Sequence, residues 1–145
     1  MKNRCISITL SMVMGLLTIQ GVAFAQGTDK HGKTAPSAAK MQKMHAMMPM
    51  FSVASAKLEA ALEKGDAAAV EAEAGKIMVA LPDLKKSKPH KNVKERKKFV
   101  DLATDFEKTV ASTQNLAKKG DFAGAKTAFK KAEEICAACH AKFRD

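Results

Sequence analysis

The 145-residue chain contains no tryptophan and no tyrosine, and it has only three cysteines. No stretch shows the alternating pattern and β-branched content typical of a strand, so the sequence predicts no β-sheet. A glycine-rich phosphate-binding loop is also missing, and no nucleophile lies in a recognisable pattern with a base. These absences argue against a phosphate-binding fold, and they give no reason to predict an enzyme.

Acidic residues are few relative to basic ones, with 15 Asp and Glu against 25 Lys and Arg and a formal charge of +10. Aromatic residues do not interleave with the basic ones, and nucleic acid is therefore not an expected partner. We expect a solvated loop and helix start where the basic residues cluster, with a docking surface for an acidic partner protein as the alternative. The cluster comprises Lys85, Lys86, Lys88, Lys91, Lys94, Arg96, Lys97 and Lys98.

Residues 1–25 have the organisation of a secretory signal peptide. A positively charged start is followed by an uncharged, mostly apolar run over residues 5–24 and by small residues ending at Ala25. We predict cleavage after Ala25, a periplasmic location and no membrane anchor in the mature chain, with a retained anchor as the alternative. Cleavage removes Lys2 and Arg4 and leaves a formal charge of +8 and two cysteines. Thiols in that compartment tend to oxidise.

The rest of the chain predicts one all-α domain. Residues 26–37 have little apolar content and predict a flexible lead-in, and the domain is predicted over residues 38–145. Within it, four stretches place apolar residues at alternating steps of three and four, which is the pattern of one buried face on a helix. The predicted stripes are Met41, Met44, Met48, Phe51, Ser55, Leu58 and Leu62; Val70, Ala74, Ile77, Leu81 and Leu84; Phe99, Ala103, Phe106, Val110, Thr113 and Ala117; and Phe122, Ala125, Phe129, Ala132, Cys136, Cys139 and Phe143.

The breaks between the stripes predict how the helices are connected. Gly65 and Gly120 are each followed by aspartate, and glycine can close a helix while aspartate caps the next one. These tight junctions predict two helical hairpins, and a longer connection from Pro82 to Asn92 joins them into an antiparallel four-helix bundle. Pro49 lies inside the first stripe, where it predicts either a kink or a helix that starts later.

The motif that carries chemistry is Cys-Ala-Ala-Cys-His at residues 136–140, the pattern through which c-type haem is attached. On a helix, Cys136 and Cys139 share a face, so both thiols can reach one edge of a porphyrin, and His140 can bind the iron. We therefore predict one covalent haem c, attached to the last helix inside the bundle. A redox disulfide and half of a zinc site are the alternatives, but no βαβ pattern and no second ligand pair accompany the motif.

This C-terminal segment resembles the end of the class II cytochromes c, the cytochrome c-prime family. In that family the haem motif lies in the last helix and is followed by a Phe-Arg pair, here Phe143 and Arg144. The resemblance implies a four-helix bundle with haem attached through Cys136 and Cys139. It also implies that His140 is the proximal iron ligand and that Arg144 lies near this histidine or a haem propionate.

By the same resemblance, an inward residue of the first helix faces the other side of the haem. Members with methionine there transfer electrons, and members with a non-coordinating apolar residue bind nitric oxide or carbon monoxide. The methionine-rich first helix favours the first class, and we predict Met48 as the distal ligand, with Met44 and Met50 as second and third choices. His45 is an alternative ligand, and core packing is the other explanation for the methionines. We expect an exported electron-transfer cytochrome, with a five-coordinate gas-binding haem protein as the alternative.

The methionines and histidines near the start of the mature chain allow one further function. Residues 41–50, together with His31 and His45, supply thioethers and imidazoles, which suit copper(I). A copper-binding exported protein is therefore a second alternative. His90 has no evident ligand role.

Two kinds of partner protein are expected. An exported electron carrier needs a redox partner, and the basic cluster favours an acidic one. Class II cytochromes often dimerise through their first two helices, and the small alanines at positions 67, 68, 69 and 72 would permit a homodimer.

Overall fold

The structure, a computed structural model, describes residues 36–144, and it describes side-chain surroundings from residue 42 onward. The predicted signal peptide and most of the predicted lead-in lie outside these residues. The described chain forms four helices and no strand, which confirms the all-α four-helix prediction. Among these helices none is long and apolar enough to cross a membrane. The helices are α1 (Pro36–Lys64), α2 (Ala67–Lys86), α3 (Arg96–Lys118) and α4 (Phe122–Phe143).

The two tight junctions have the predicted conformation. Gly65 and Gly120 have φ angles of 67° and 78°, in the left-handed region that side chains disfavour. Asp66 caps α2 by accepting a hydrogen bond from the backbone N–H of Ala69 at 3.0 Å. Asp121 caps α4 in the same way, accepting from the N–H of Gly124 at 2.8 Å. Each junction thus reverses the chain within a few residues and pairs neighbouring helices.

The core follows the predicted stripes fully on α2 and α3, whereas on α1 and α4 some stripe residues, among them Met48, Ser55 and Phe122, are only half-buried. Every predicted stripe residue of α2 and α3 is buried. On α4 the stripe is buried at Ala125, Phe129, Ala132 and Phe143, whereas the two cysteines between them are only half-buried. The core therefore opens near the C-terminal end of α4.

Two prolines lie inside helices, one where the sequence predicted a loop and one where it predicted a kink or a later helix start. Helix α2 continues through Pro82 to Lys86, so the connection to α3 covers residues 87–95 and the prediction of a loop starting at Pro82 was wrong. Pro82 is exposed, whereas Leu81 and Leu84 beside it are buried. Burial of these two leucines offsets the hydrogen bond that proline cannot make.

Helix α1 likewise continues through Pro49, which is also exposed. The helix begins at Pro36, two residues before the predicted start of the domain. The methionines on either side of Pro49 consequently belong to one helix rather than to a separate turn.

Candidate haem site

A cavity of about 910 Å³ lies where the core opens. Helices α1 and α4 touch each other far less than α1 touches α2 or α3 touches α4, and the cavity lies between them with α3 behind. Its volume is within the range of about 300–1,000 Å³ that cofactor pockets occupy. The wall is mainly apolar and includes Phe51, Leu84, Phe99, Leu102, Phe106, Ile135 and Phe143.

The two cysteines and the histidine of the haem motif all lie on the cavity wall. Cys136 and Cys139 are free thiols, both half-buried. Burial raises the pKa of Cys136 to about 11, with the neighbouring Cys139 and Glu133 adding to the effect. Burial also raises the pKa of Cys139. Both thiols are therefore neutral near pH 7, whereas reactive redox cysteines and zinc-binding cysteines act as thiolates.

The structure gives no support to a zinc site at this motif. The part of the chain that the structure describes contains no group of three or more His, Cys, Asp or Glu side chains arranged to hold a metal ion. Structural zinc needs four such ligands in a closed tetrahedral set. Within residues 36–144 the thiol pair therefore lacks the second half that a zinc site requires.

His140 is exposed at the edge of the cavity, and Arg144 lies beside it on the wall. The pKa of His140 is lowered by partial burial and by the positive charge of Arg144. The sign of this shift favours the neutral imidazole at neutral pH, which is the form that binds a metal ion. Arg144 is the C-cap of α4: its backbone N–H still donates to the carbonyl oxygen of His140 at 3.1 Å, but its own backbone is extended and ends the helix.

On the opposite side, α1 brings methionines to the cavity. Met44 and Met48 both line the wall; Met44 is buried and Met48 is half-buried. Met50, the third predicted choice, packs against the core but is not on the cavity wall. The side chain of Met41, on the same predicted stripe, lies outside the described residues.

The cavity rim contains a residue to which the sequence assigned no role. His90, in the connection between α2 and α3, lies at the rim together with His45 of α1. The two Nε2 atoms are 3.0 Å apart. Because 45 residues separate these histidines in the chain, no local sequence pattern links them.

The residues around the cavity fit a haem. A porphyrin has two apolar faces and one acidic edge, and the cavity combines an apolar wall with a polar rim at Arg144, His45 and His90. Two edge-on aromatic pairs build the wall: Phe51 with Phe106, and Phe99 with Phe143, at centroid distances of 6.1 and 5.3 Å. A thiol pair and an imidazole open onto the same space. This donor set matches c-type haem.

Comparison with known proteins agrees with this chemistry. The family model described as Cytochrome C' matches residues 83–144, which span the last turn of α2, the connection, α3 and α4 with its haem motif. No curated protein and no solved structure matches the chain. This match and the four-helix fold support membership of the cytochrome c-prime family, whose proteins bind covalently attached haem c.

Proposed function

We propose that the protein is an exported electron-transfer cytochrome. Cys136 and Cys139 hold the haem by thioether bonds, and His140 and Met48 are the two iron ligands. The observation that carries the proposal is that one cavity has the haem motif on its α4 side and the thioether of Met48 on its α1 side. When bound, haem supplies an iron that gains and loses one electron.

Each of these side chains has a separate task. The two thiol sulfurs fix the cofactor along one face of α4, since they are three residues apart on a helix. The neutral imidazole of His140 offers a lone pair without first losing a proton. Methionine as the second ligand raises the reduction potential, because the soft thioether favours the ferrous state. The apolar wall excludes water and so keeps the local dielectric low.

Burial favours Met48 over Met44 as the ligand. Only 6% of Met44 is exposed, and its side chain is part of the hydrophobic core. Met48 is half-buried, lines the cavity and packs against the core, so its sulfur can turn toward the haem iron with less loss of packing. His45, the alternative ligand, is exposed and has its Nε2 atom beside that of His90.

Carbon monoxide tests the proposed function against the gas-binding alternative. A ferrous iron with both axial positions filled by protein ligands leaves no site for the gas, so the visible spectrum of the reduced protein should not change under carbon monoxide. The same sample unfolded in denaturant is the positive control, because release of methionine opens the site. Stoichiometric carbon monoxide binding by the folded protein would show a five-coordinate haem and would refute electron transfer through a Met48 ligand.

We also propose that an acidic redox protein docks on the basic residues beside the cavity. Part of the basic cluster is engaged within the fold: Lys85 pairs with Glu107 at 2.5 Å and Lys97 with Asp101 at 2.7 Å. Five other lysines of the cluster are exposed, and the connection that carries three of them also carries His90 at the cavity rim. Positive charge there would steer an acidic partner to the haem end of the bundle. The exposed lysines are Lys86, Lys88, Lys91, Lys94 and Lys98.

Charge reversal tests this docking surface. The double substitution Lys91→Glu with Lys94→Glu is expected to slow electron exchange with an acidic redox protein at least several-fold at low ionic strength, because steering changes association rates by about 10- to 1,000-fold. The matched control reverses Lys64 and Lys119, two exposed lysines at the opposite end of the bundle. Stopped-flow rates measured over a range of salt concentrations give the comparison. Equal slowing by both pairs would reduce the effect to net charge and contradict a docking surface.

A further inference from the structure

We propose that His45 and His90 form a binding site for a divalent transition-metal ion at the cavity rim, separate from the haem iron. The imidazoles face each other through Nε2 atoms 3.0 Å apart, with ring centroids 4.8 Å apart and planes inclined by 49°. In this contact the N–H of one ring donates to the lone pair of the other. A metal ion in place of that proton would be bound by both lone pairs.

The distance between the two nitrogens suits such an ion. Metal–imidazole bonds are about 2.0–2.1 Å long, so two nitrogens on a tetrahedral ion lie about 3.3 Å apart. Adjacent nitrogens of a square-planar or octahedral ion lie about 2.9 Å apart at the same bond length. The observed 3.0 Å lies between these values. Zinc, copper and nickel all accept imidazole, and each could bind after movements of a few tenths of an ångström.

The connection that carries His90 is held in place before any metal binds. The backbone N–H groups of His90 and Lys91 both donate to the carbonyl oxygen of Phe143 at 3.2 Å. The side-chain amide of Asn92 donates to the carbonyl oxygen of Lys142 at 2.7 Å. These contacts fix the connection to the end of α4, so little ordering of the backbone remains to oppose binding.

The second ligand, His45, comes from a different element than His90, so an ion bound by both would link two parts of the fold. His45 belongs to α1, which touches α4 far less than it touches α2. A bound ion would join α1 to the connection beside the cavity, whose wall includes both His45 and His90. Within the described residues, His45 and His90 are the two side chains that the structure offers to this ion, since no group of three His, Cys, Asp or Glu arranged for a metal is found there.

Zinc titration of the oxidised, haem-loaded protein tests the site, because Zn²⁺ leaves the oxidation state of the haem unchanged. Isothermal titration calorimetry should give one Zn²⁺ per chain. His45→Gln and His90→Gln should each weaken binding more than about tenfold, because removal of groups that only support a metal ligand already costs about 10- to 100-fold. His31→Gln is the matched control and should leave the affinity unchanged. Zn²⁺ should also raise the Tm of the wild-type protein but not that of the double variant.

Three results would overturn the proposal. These are no zinc uptake by the wild-type protein, equal uptake by wild type and both single variants, and loss of uptake in His31→Gln. The haem spectrum is recorded for each variant, so failure here is distinguishable from failure of the proposed electron-transfer function. A changed haem spectrum in His45→Gln would make His45 an iron ligand and would also contradict a separate site.

Discussion

Replacement of Cys136 and Cys139 together by serine is expected to reduce covalent haem from one per chain to none. Both cysteines lie on the cavity wall, and they are the two cysteines that remain after the predicted signal peptide is removed. Serine keeps the size of the side chain but cannot form a thioether. The measurement is haem staining of a denaturing gel, with intact mass of the same sample, after expression with a cytochrome c maturation system.

The single variants act as controls for this result. Cys136→Ser and Cys139→Ser each leave one sulfur on the wall, so a single thioether can still retain haem on a denaturing gel. The double variant without haem is also expected to unfold more readily, because the apolar wall of a cavity of about 910 Å³ then lacks its ligand. Haem that stays with the double variant after denaturation would contradict attachment through this motif.

Substitution of Met48 by leucine is expected to convert the protein from low-spin to high-spin and to create carbon monoxide binding at one per haem. Leucine is close to methionine in volume, and such exchanges usually cost less than about 1.5 kcal/mol, so the bundle should persist. Leucine has no lone pair, however, and leaves one axial position of the iron without a protein ligand. The reduction potential should fall, since methionine ligation raises it. Visible spectra, carbon monoxide titration and potentiometry measure the three effects.

Two neighbouring methionines provide matched controls. Met44→Leu changes another residue of the cavity wall, and Met50→Leu changes a residue of the same helix that is not on the wall. Both variants should keep the low-spin spectrum and remain unable to bind carbon monoxide. If Met44→Leu rather than Met48→Leu gives the high-spin spectrum, the ligand is Met44 and the assignment of Met48 is wrong.

The sequence predicted well those features that depend on local periodicity. Every predicted stripe residue of α2 and α3 is buried, because steps of three and four along a helix return to one face whatever the neighbouring helix is. The junctions at Gly65 and Gly120 were equally readable, since a left-handed glycine and a capping aspartate act within a few residues. The haem motif belongs to the same class, because its chemistry depends on spacing within five residues.

Features set by packing across the molecule could not be predicted in this way. Pro82 is a helix breaker locally, yet the burial of Leu81 and Leu84 on either side of it keeps α2 helical. The contact between His45 and His90 depends on how α1 and the connection approach each other, and the separation of α1 from α4 that forms the cavity depends on the whole bundle. Which α1 methionine faces the iron could not be predicted either, because it depends on how α1 packs against the rest of the bundle. The family model gives no help here, since α1 lies outside the segment that it matches.

The spectrum of the oxidised wild-type protein, from the visible to the near-infrared, reports both iron ligands at once and so tests whether His140 and Met48 bind the iron. We expect a low-spin ferric haem with the weak sulfur-to-iron charge-transfer band of histidine and methionine ligation. A high-spin spectrum without that band, or a low-spin spectrum of two histidines, would contradict an electron carrier in which His140 and Met48 bind the iron.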